Sequence, residues 1–461
     1  MKKIASKRIV LVSISLSFTA LFWTGCFITE FTDRLSAWYI CKINEQTAAK
    51  PVATVHFPQQ KPAPLKPMLT WSKVEGAVAY ELELLTKLPD TPDKPASYTT
   101  RFFSTTKIYV SGYNVELPVS FTGNSFYWRV RGLNFAGNPI SLFSDAEKVY
   151  IDRMLNMIQK PVPTSIFNQS TGATLLYPVY AWIPITGAEK YEVEILDDLP
   201  ENPNGIAPSI HRIDSAIAAG FDYYDEYPRI SGRPFYWRVR GLDQDGNPIG
   251  VYSDAGRFTT NPNTHVTAAT YGDSITHGGG SVSYSPADWE YSYQYYLKFP
   301  TINLGKSGDT SQTMVERFEQ DVLPFKPQYL IILAGTNSLR GGVAAESVIA
   351  DLKALKEKCL ANNIRPVFLT VPPINPDNIK KVFNESTAPN WQKQIRLVNE
   401  FIRTQVHIDA ASDMEYTNGI IPTELAVDGL HLDIEGKKKI ASAVNADWVR
   451  IVGLPKQSWT K

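Results

Sequence analysis

The chain repeats itself, and the period of the repeat limits what it can fold into. Phe126-Tyr127-Trp128-Arg129-Val130-Arg131-Gly132-Leu133 recurs as Phe235-Tyr236-Trp237-Arg238-Val239-Arg240-Gly241-Leu242. Gly137-Asn138-Pro139-Ile140 recurs as Gly246-Asn247-Pro248-Ile249, and Ser144-Asp145 as Ser253-Asp254. Upstream, Trp71, Gly76, Ala77, Tyr80, Glu81 and Glu83 match Trp182, Gly187, Ala188, Tyr191, Glu192 and Glu194. A period of roughly 110 residues is too long for a solenoid repeat and suits a small β-sandwich. Tyr191-Glu192-Val193-Glu194-Ile195 alternates apolar and polar residues, as a half-buried strand does. The same alternation in Tyr127 to Arg131 places Arg129 and Arg131 toward water. The Gly-Asn-Pro blocks are turn chemistry between strands.

After Thr259 the pattern changes to strands alternating with helices. Strands are predicted near Val266–Tyr271, Thr301–Leu304, Tyr329–Ala334, Pro366–Val371 and Val406–Ile408. Helices are predicted near Ala287–Leu297, Ser311–Val322, Ala344–Ala361, Trp391–Thr404 and Glu435–Ile451. Ile395, Val398, Phe401 and Ile402 form one apolar stripe; Ile440, Val444, Trp448 and Ile451 form another. Such βα alternation implies a mostly parallel sheet covered on both faces.

The chemistry-bearing residues lie in this second part. Gly272-Asp273-Ser274 closes the first predicted strand, where an open α/β sheet places its reactive groups. Asp428-Gly429-Leu430-His431 lies about 150 residues later. Serine is a weak nucleophile that needs an adjacent base and a group to orient that base. His431 and Asp428, three residues apart, can supply both from one turn. Between them lie Gly305-Lys306-Ser307-Gly308-Asp309 and Gly335-Thr336-Asn337. A glycine N–H and an asparagine amide are suitable oxyanion donors. Asp273 suits hydrogen bonding within the turn that presents Ser274.

Ser274, Gly308, Asn337 and His431, in this order, resemble the four marker residues of the SGNH (GDSL-type) hydrolase superfamily, over roughly the last 200 residues. The resemblance implies a flavodoxin-like α/β/α domain, a Ser274-His431-Asp428 triad and an acyl-enzyme. It also implies an oxyanion hole of the Ser274 and Gly308 N–H groups and the Asn337 amide. The implied activity is hydrolysis of acyl esters, with acyl transfer to a sugar hydroxyl or a non-catalytic adhesion role as alternatives. No long apolar lid adjoins the marker blocks, which favours short acyl groups, acetyl above all, on a small-molecule or carbohydrate ester. The repeated halves resemble fibronectin type III domains, an immunoglobulin-like all-β sandwich. Their repeated tryptophans occupy strand positions, so Trp71, Trp128, Trp182 and Trp237 are expected in the cores. The sandwiches supply no triad member and read as spacers or modules holding the enzyme near a surface polysaccharide.

Lys2, Lys3, Lys7 and Arg8 precede an apolar run from Ile9 to Trp23 and then Gly25-Cys26. A basic start followed by a run too short to span a bilayer reads as a signal peptide. Gly25-Cys26 resembles a bacterial lipoprotein cleavage site, with Cys26 lipidated. The expectation is an exported cell-envelope protein held at a membrane by that lipid or by a signal anchor. The resulting organisation is signal peptide 1–25, extended proline-rich linker 26–66, sandwiches 67–155 and 156–262, and hydrolase domain 263–461. Lys+Arg and Asp+Glu are both 46, so no net charge points to nucleic acid. The 3 cysteines make no disulfide framework, and Cys359 falls on the apolar stripe of a predicted helix. No Cys/His spacing suits a metal, and no cofactor motif is present.

Overall fold

A computed structural model describes residues 50–460 except 157, 166–174, 265, 280–286 and 416–417. The predicted signal peptide, Cys26 and Cys41 lie outside the described residues.

The first repeat forms β1 (Met68–Thr70), β2 (Ala79–Leu85), β3 (Arg101–Ile108), β4 (Gly112–Asn114), β5 (Ser125–Leu133) and β6 (Glu147–Tyr150). Strands β3-β2-β5-β6 make one antiparallel sheet and β1-β4 another. The second repeat forms β7 (Val162–Pro163), β8 (Val179–Ile183), β9 (Lys190–Leu196), β10 (Arg212–Ala218), β11 (Asp222–Tyr224), β12 (Phe235–Leu242), β13 (Pro248–Ile249) and β14 (Gly256–Phe258). Here β10-β9-β12, with β13 and β14 on β12, lie in one sheet and β11-β8-β7 in the other. In each repeat apolar residues from both sheets share one core. All four repeated tryptophans are buried in these cores. Each such ring removes ~150–250 Å² from water, a larger single contribution than any aliphatic neighbour makes to holding the sheets together.

Two expectations fail here. Of the two arginines expected to face water, Arg129 is fully buried and Arg131 is largely covered, paired with Glu81 at 2.7 Å; Arg238, the repeat counterpart of Arg129, is fully buried too. Arg129 Nε pairs with buried Glu83 at 2.8 Å, and its remaining nitrogens donate to the carbonyls of Thr91, Pro92 and Lys94. Arg238 repeats the device with Glu194 and the carbonyls of Asn202 and Ala207. In both repeats the long loop that supplies these carbonyls joins the first two strands of this sheet in chain order, β2 to β3 and β9 to β10. The loop carbonyls and the glutamate together satisfy the donors of the buried guanidinium, which would otherwise be a buried unpaired charge. The second failure is the linker. Ala53 bridges Trp71, Phe57 bridges Val149 and Ala63 bridges Ile151. Ala63 is fully buried, so 50–66 is extended but forms part of the first sandwich rather than a tether.

The third unit runs β15 (Ala268–Gly272), α1 (Ser274–His277), β16 (Thr301–Asn303), α2 (Ser311–Asp321), β17 (Tyr329–Leu333), α3 (Thr336–Arg340), α4 (Ala345–Ala361), β18 (Arg365–Leu369), α5 (Pro376–Phe383), α6 (Trp391–Arg403), β19 (His407–Ile408) and α7 (Ile434–Val452). Its five strands are parallel in the order β16-β15-β17-β18-β19, the doubly wound 2-1-3-4-5 order. Alternate residues of β17 serve opposite faces. Leu330 and Ile332 pack toward α2, α4 and α6, whereas Tyr329, Ile331 and Leu333 pack toward α7. Cys359 is buried on the α4 stripe with Val348, Leu352 and Leu355, as its spacing implied.

The helix predicted over Ala287–Leu297 is instead two short 3₁₀ turns, Trp289–Tyr291 and Tyr293–Tyr296. Ser292 between them is extended, at φ −104° and ψ 130°. Serine and aromatic residues are poor helix formers, and Tyr291 and Tyr293 are both buried. Packing of the rings on both sides of Ser292 outweighs a weak helical preference.

The second sandwich is not a spacer. Leu175 forms a parallel bridge with Asn303, and the Leu176 N–H donates to the Asn303 carbonyl at 3.0 Å. A short segment of the second repeat thereby adds to the β16 edge of the parallel sheet. Leu176, Tyr177, Val179 and Tyr224 belong to the same apolar core as β15, α2 and α4. The boundary drawn at 262/263 by the change of sequence pattern is therefore not a packing boundary.

Candidate active site

β15 delivers Ser274 at its C-terminal end, beside the point where the strand order reverses between β16 and β17. The turn after β15 admits only glycine at 272. A Cβ there would meet Thr276 Oγ1 at 2.3 Å and the Leu333 carbonyl at 2.5 Å. Asp273 caps α1, its Oδ1 accepting from the Ile275 N–H at 2.9 Å, as the sequence suggested. Ser274 is then the first helical residue, and its own N–H has no acceptor within the helix.

The turn before α7 holds the other two groups. Asp428 Oδ1 accepts from the Leu430 and His431 N–H groups at 2.8 and 2.7 Å. Asp428 Oδ2 lies 2.8 Å from His431 Nδ1. Gly429 has φ +82°, and a Cβ there would approach the Asn375 carbonyl to 2.3 Å, so glycine is required. His431 Nε2 lies 2.9 Å from Ser274 Oγ. An ionised carboxylate only accepts, so Nδ1 carries the proton and the bare Nε2 accepts from the serine hydroxyl. Burial raises the Asp428 carboxyl, but the hydrogen bonds from His431 and the two backbone N–H groups outweigh it and hold the group below its ordinary range. All three residues are more than nine-tenths buried.

Gly308 and Asn337 follow the C-terminal ends of β16 and β17, the two strands that flank β15. Gly308 is exposed at the tip of its loop, with φ +85°, and its N–H has no acceptor among the described residues. Asn337 Nδ2 donates to the Asp309 carbonyl at 2.9 Å, and Asn337 Oδ1 accepts from Arg340 Nε at 3.0 Å. The arginine thus fixes which end of the amide faces the Gly308 loop.

Two supporting residues escaped the sequence reading. Arg317 on α2 pairs with Asp309 and Asp321 and donates to the carbonyls of Leu304 and Gly272. It ties the Gly308 loop to the turn before Ser274. The signal was an arginine beside Met314 and Phe318 on an otherwise apolar face, with an acid four residues on. Lys437 on α7 is buried and donates to the Ile275 carbonyl behind Ser274. Burial lowers its ammonium to about 8 against the upward pull of Asp273, Asp433 and Asp428. Its spacing of three, four and seven residues from Ile440, Ala441 and Val444 marked it as a lysine on a core stripe.

Residues 270–439 match the model of the GDSL-like Lipase/Acylhydrolase family. No curated protein matches the chain. Among solved structures, a GDSL-like lipase from Bacteroides thetaiotaomicron is 20% identical, covering 40% of this chain and 87% of its own, at a TM-score of 0.33. The acetylxylan esterase Axe2 from Geobacillus stearothermophilus is 20% identical, covering 42% and 94%, at 0.31. The span from β15 into α7, which contains Ser274, Gly308, Asn337, Asp428 and His431, is a GDSL-like lipase/acylhydrolase domain.

Proposed function

We propose that the protein is a serine esterase that removes short acyl groups, acetyl foremost, from small-molecule or carbohydrate esters. The observation that carries this reading is the unbroken hydrogen-bonded chain from Ser274 Oγ through His431 to Asp428, at 2.9 and 2.8 Å. His431 Nε2 takes the hydroxyl proton as Ser274 Oγ bonds to the ester carbonyl carbon. Asp428 keeps the imidazole in the receptive tautomer and stabilises its charged form. The resulting oxyanion accepts from the N–H groups of Ser274 and Gly308 and from Asn337 Nδ2. Collapse breaks the bond to the alcohol oxygen, which leaves with the proton from His431. Water, deprotonated by His431, then releases the acid and restores Ser274.

Hydrolysis of a chromogenic acetate ester tests this directly. Ser274→Ala is expected to remove all but the ~10³–10⁴-fold rate enhancement over water that binding and the oxyanion hole give alone. A folded alanine variant that kept a large share of activity would rule out Ser274 as nucleophile.

The same reading takes the two sandwiches as fibronectin type III-like and the protein as exported and lipid-anchored through Cys26. Metabolic labelling with a fatty acid should tag the wild type and not Cys26→Ser; an unlabelled wild type refutes the anchor.

A further inference from the structure

The segment from Lys306 to Asp309 is a four-residue turn closed by one weak bond of its own, the Asp309 N–H donating to the Lys306 carbonyl at 3.3 Å, and the Gly308 N–H direction depends on how that turn is held. The hydrolase unit holds its two ends. The Lys306 N–H donates to the Gly272 carbonyl at 2.9 Å, and Asp309 is gripped by Arg317 and Thr313. The middle is held from outside that unit. The Ser307 N–H donates to Tyr224 Oη at 3.1 Å, and Tyr224 is the last residue of β11 in the second sandwich. Ser307 precedes Gly308, so an anchor on its N–H restricts how the next peptide can turn.

Tyr224 also reaches the serine side. Its ring packs edge-on against His277, with centroids 5.1 Å apart and planes at 80°. His277 ends α1, the helix that Ser274 begins. His277 Nε2 lies 2.7 Å from the Tyr177 carbonyl, an acceptor only, so this nitrogen carries the proton. Tyr177 and Tyr224 are set relative to each other by the sandwich, because Tyr224 pairs with Val179 across β11 and β8. The two backbone donors assigned to the oxyanion, at Ser274 and Gly308, are thus braced against one wall built by a different repeat.

We infer that Tyr224 is a positioning residue for ester hydrolysis: its hydroxyl holds the Ser307 N–H so that the Gly308 N–H faces the developing oxyanion. This rests on the esterase reading above. The second sandwich is then a working part of the active site.

Tyr224→Phe in the full chain removes one oxygen and keeps the ring against His277. Titrating competent serines with a fluorophosphonate puts kcat on a per-site basis, so an unfolded fraction does not lower it. Acetate-ester kcat should fall at least about tenfold, towards the ~10²-fold loss that a misplaced oxyanion donor brings, with KM changed less than about twofold. Tyr223→Phe, on the same strand, should leave both constants unchanged. A kcat within about threefold of wild type would overturn the role of Tyr224 and leave the esterase reading standing. An equal rise in KM with kcat unchanged would also overturn it, by making Tyr224 a substrate contact. A wild type inert to both the acetate ester and the fluorophosphonate would overturn the two readings together.

Discussion

Asp428→Asn separates orientation of the base from integrity of the turn that carries it. The carboxylate does two jobs with its two oxygens. Oδ1 accepts from the Leu430 and His431 N–H groups, and Oδ2 accepts from His431 Nδ1. An asparagine can keep its single oxygen on the two backbone donors, so the turn should survive. Its NH₂ group then faces Nδ1 and can only donate. The imidazole must move its proton to Nε2, the atom 2.9 Å from Ser274 Oγ, and can no longer accept from the serine. The same tautomer error in a serine protease costs ~10⁴ in kcat, about 5 kcal/mol of transition-state stabilisation. The loss of Asp428→Asn should approach that figure, with KM little changed and the melting temperature close to wild type. His431→Ala, which removes the base itself, should cost roughly 10⁶. Steady-state kinetics on a chromogenic acetate, with thermal melts of each variant, provide the comparison. A loss under about tenfold for a folded Asp428→Asn protein would show that another group orients His431.

Three further outcomes are expected. Asn337→Ala should lower kcat by ~10²–10³ with KM nearly constant in acetate-ester kinetics, because the amide acts on charge that develops during the reaction. Residues 263–461 expressed alone should be insoluble or have kcat/KM more than tenfold down, since the Asn303 edge, the Ser307 N–H and His277 all lose partners; a soluble fragment with full activity would refute the shared core. Asp273 is raised to about 6 by burial, so its native state binds the proton more tightly than the unfolded chain and stability falls as pH rises from about 4 to about 6. Asp273→Asn keeps an acceptor for the Ile275 N–H, so denaturant melts should show a gain of up to ~3 kcal/mol at pH 7.5 and little at pH 3.5.

The residues proposed as a triad were legible because their chemistry is carried by side-chain type and by position after a strand. His431 lies within hydrogen-bonding distance of both Ser274 and Asp428, and the alternation of strands and helices after Thr259 announced a parallel sheet. What failed was tied to partners distant in sequence. Arg129 alternates with apolar neighbours as an exposed residue would, and only the loop from Thr91 to Ala96 makes its position an interior one. The proline-rich stretch before Met68 has the composition of a linker, yet Ala53, Phe57 and Ala63 find strands to lie against. The pairing of Leu175 with Asn303 left no trace in periodicity, because a single bridge needs no pattern. Tyr224 looked like one aromatic among 23 tyrosines, and only its distance from Ser307 gives it a role.

The annexed edge of the parallel sheet also bears on the order in which this chain can be assembled. Synthesis releases the N-terminal part first, so the second sandwich can be complete before residue 303 is made. Leu176 and Tyr177 would then already stand as a preformed template when β16 emerges. Docking β16 there closes a long loop once, at an entropy that grows only slowly with its length. Until then the nascent chain carries an open strand edge beside Tyr177 and Tyr224, the kind of surface that recruits other chains. Arresting translation before residue 300 should therefore yield the most aggregation-prone species of this protein.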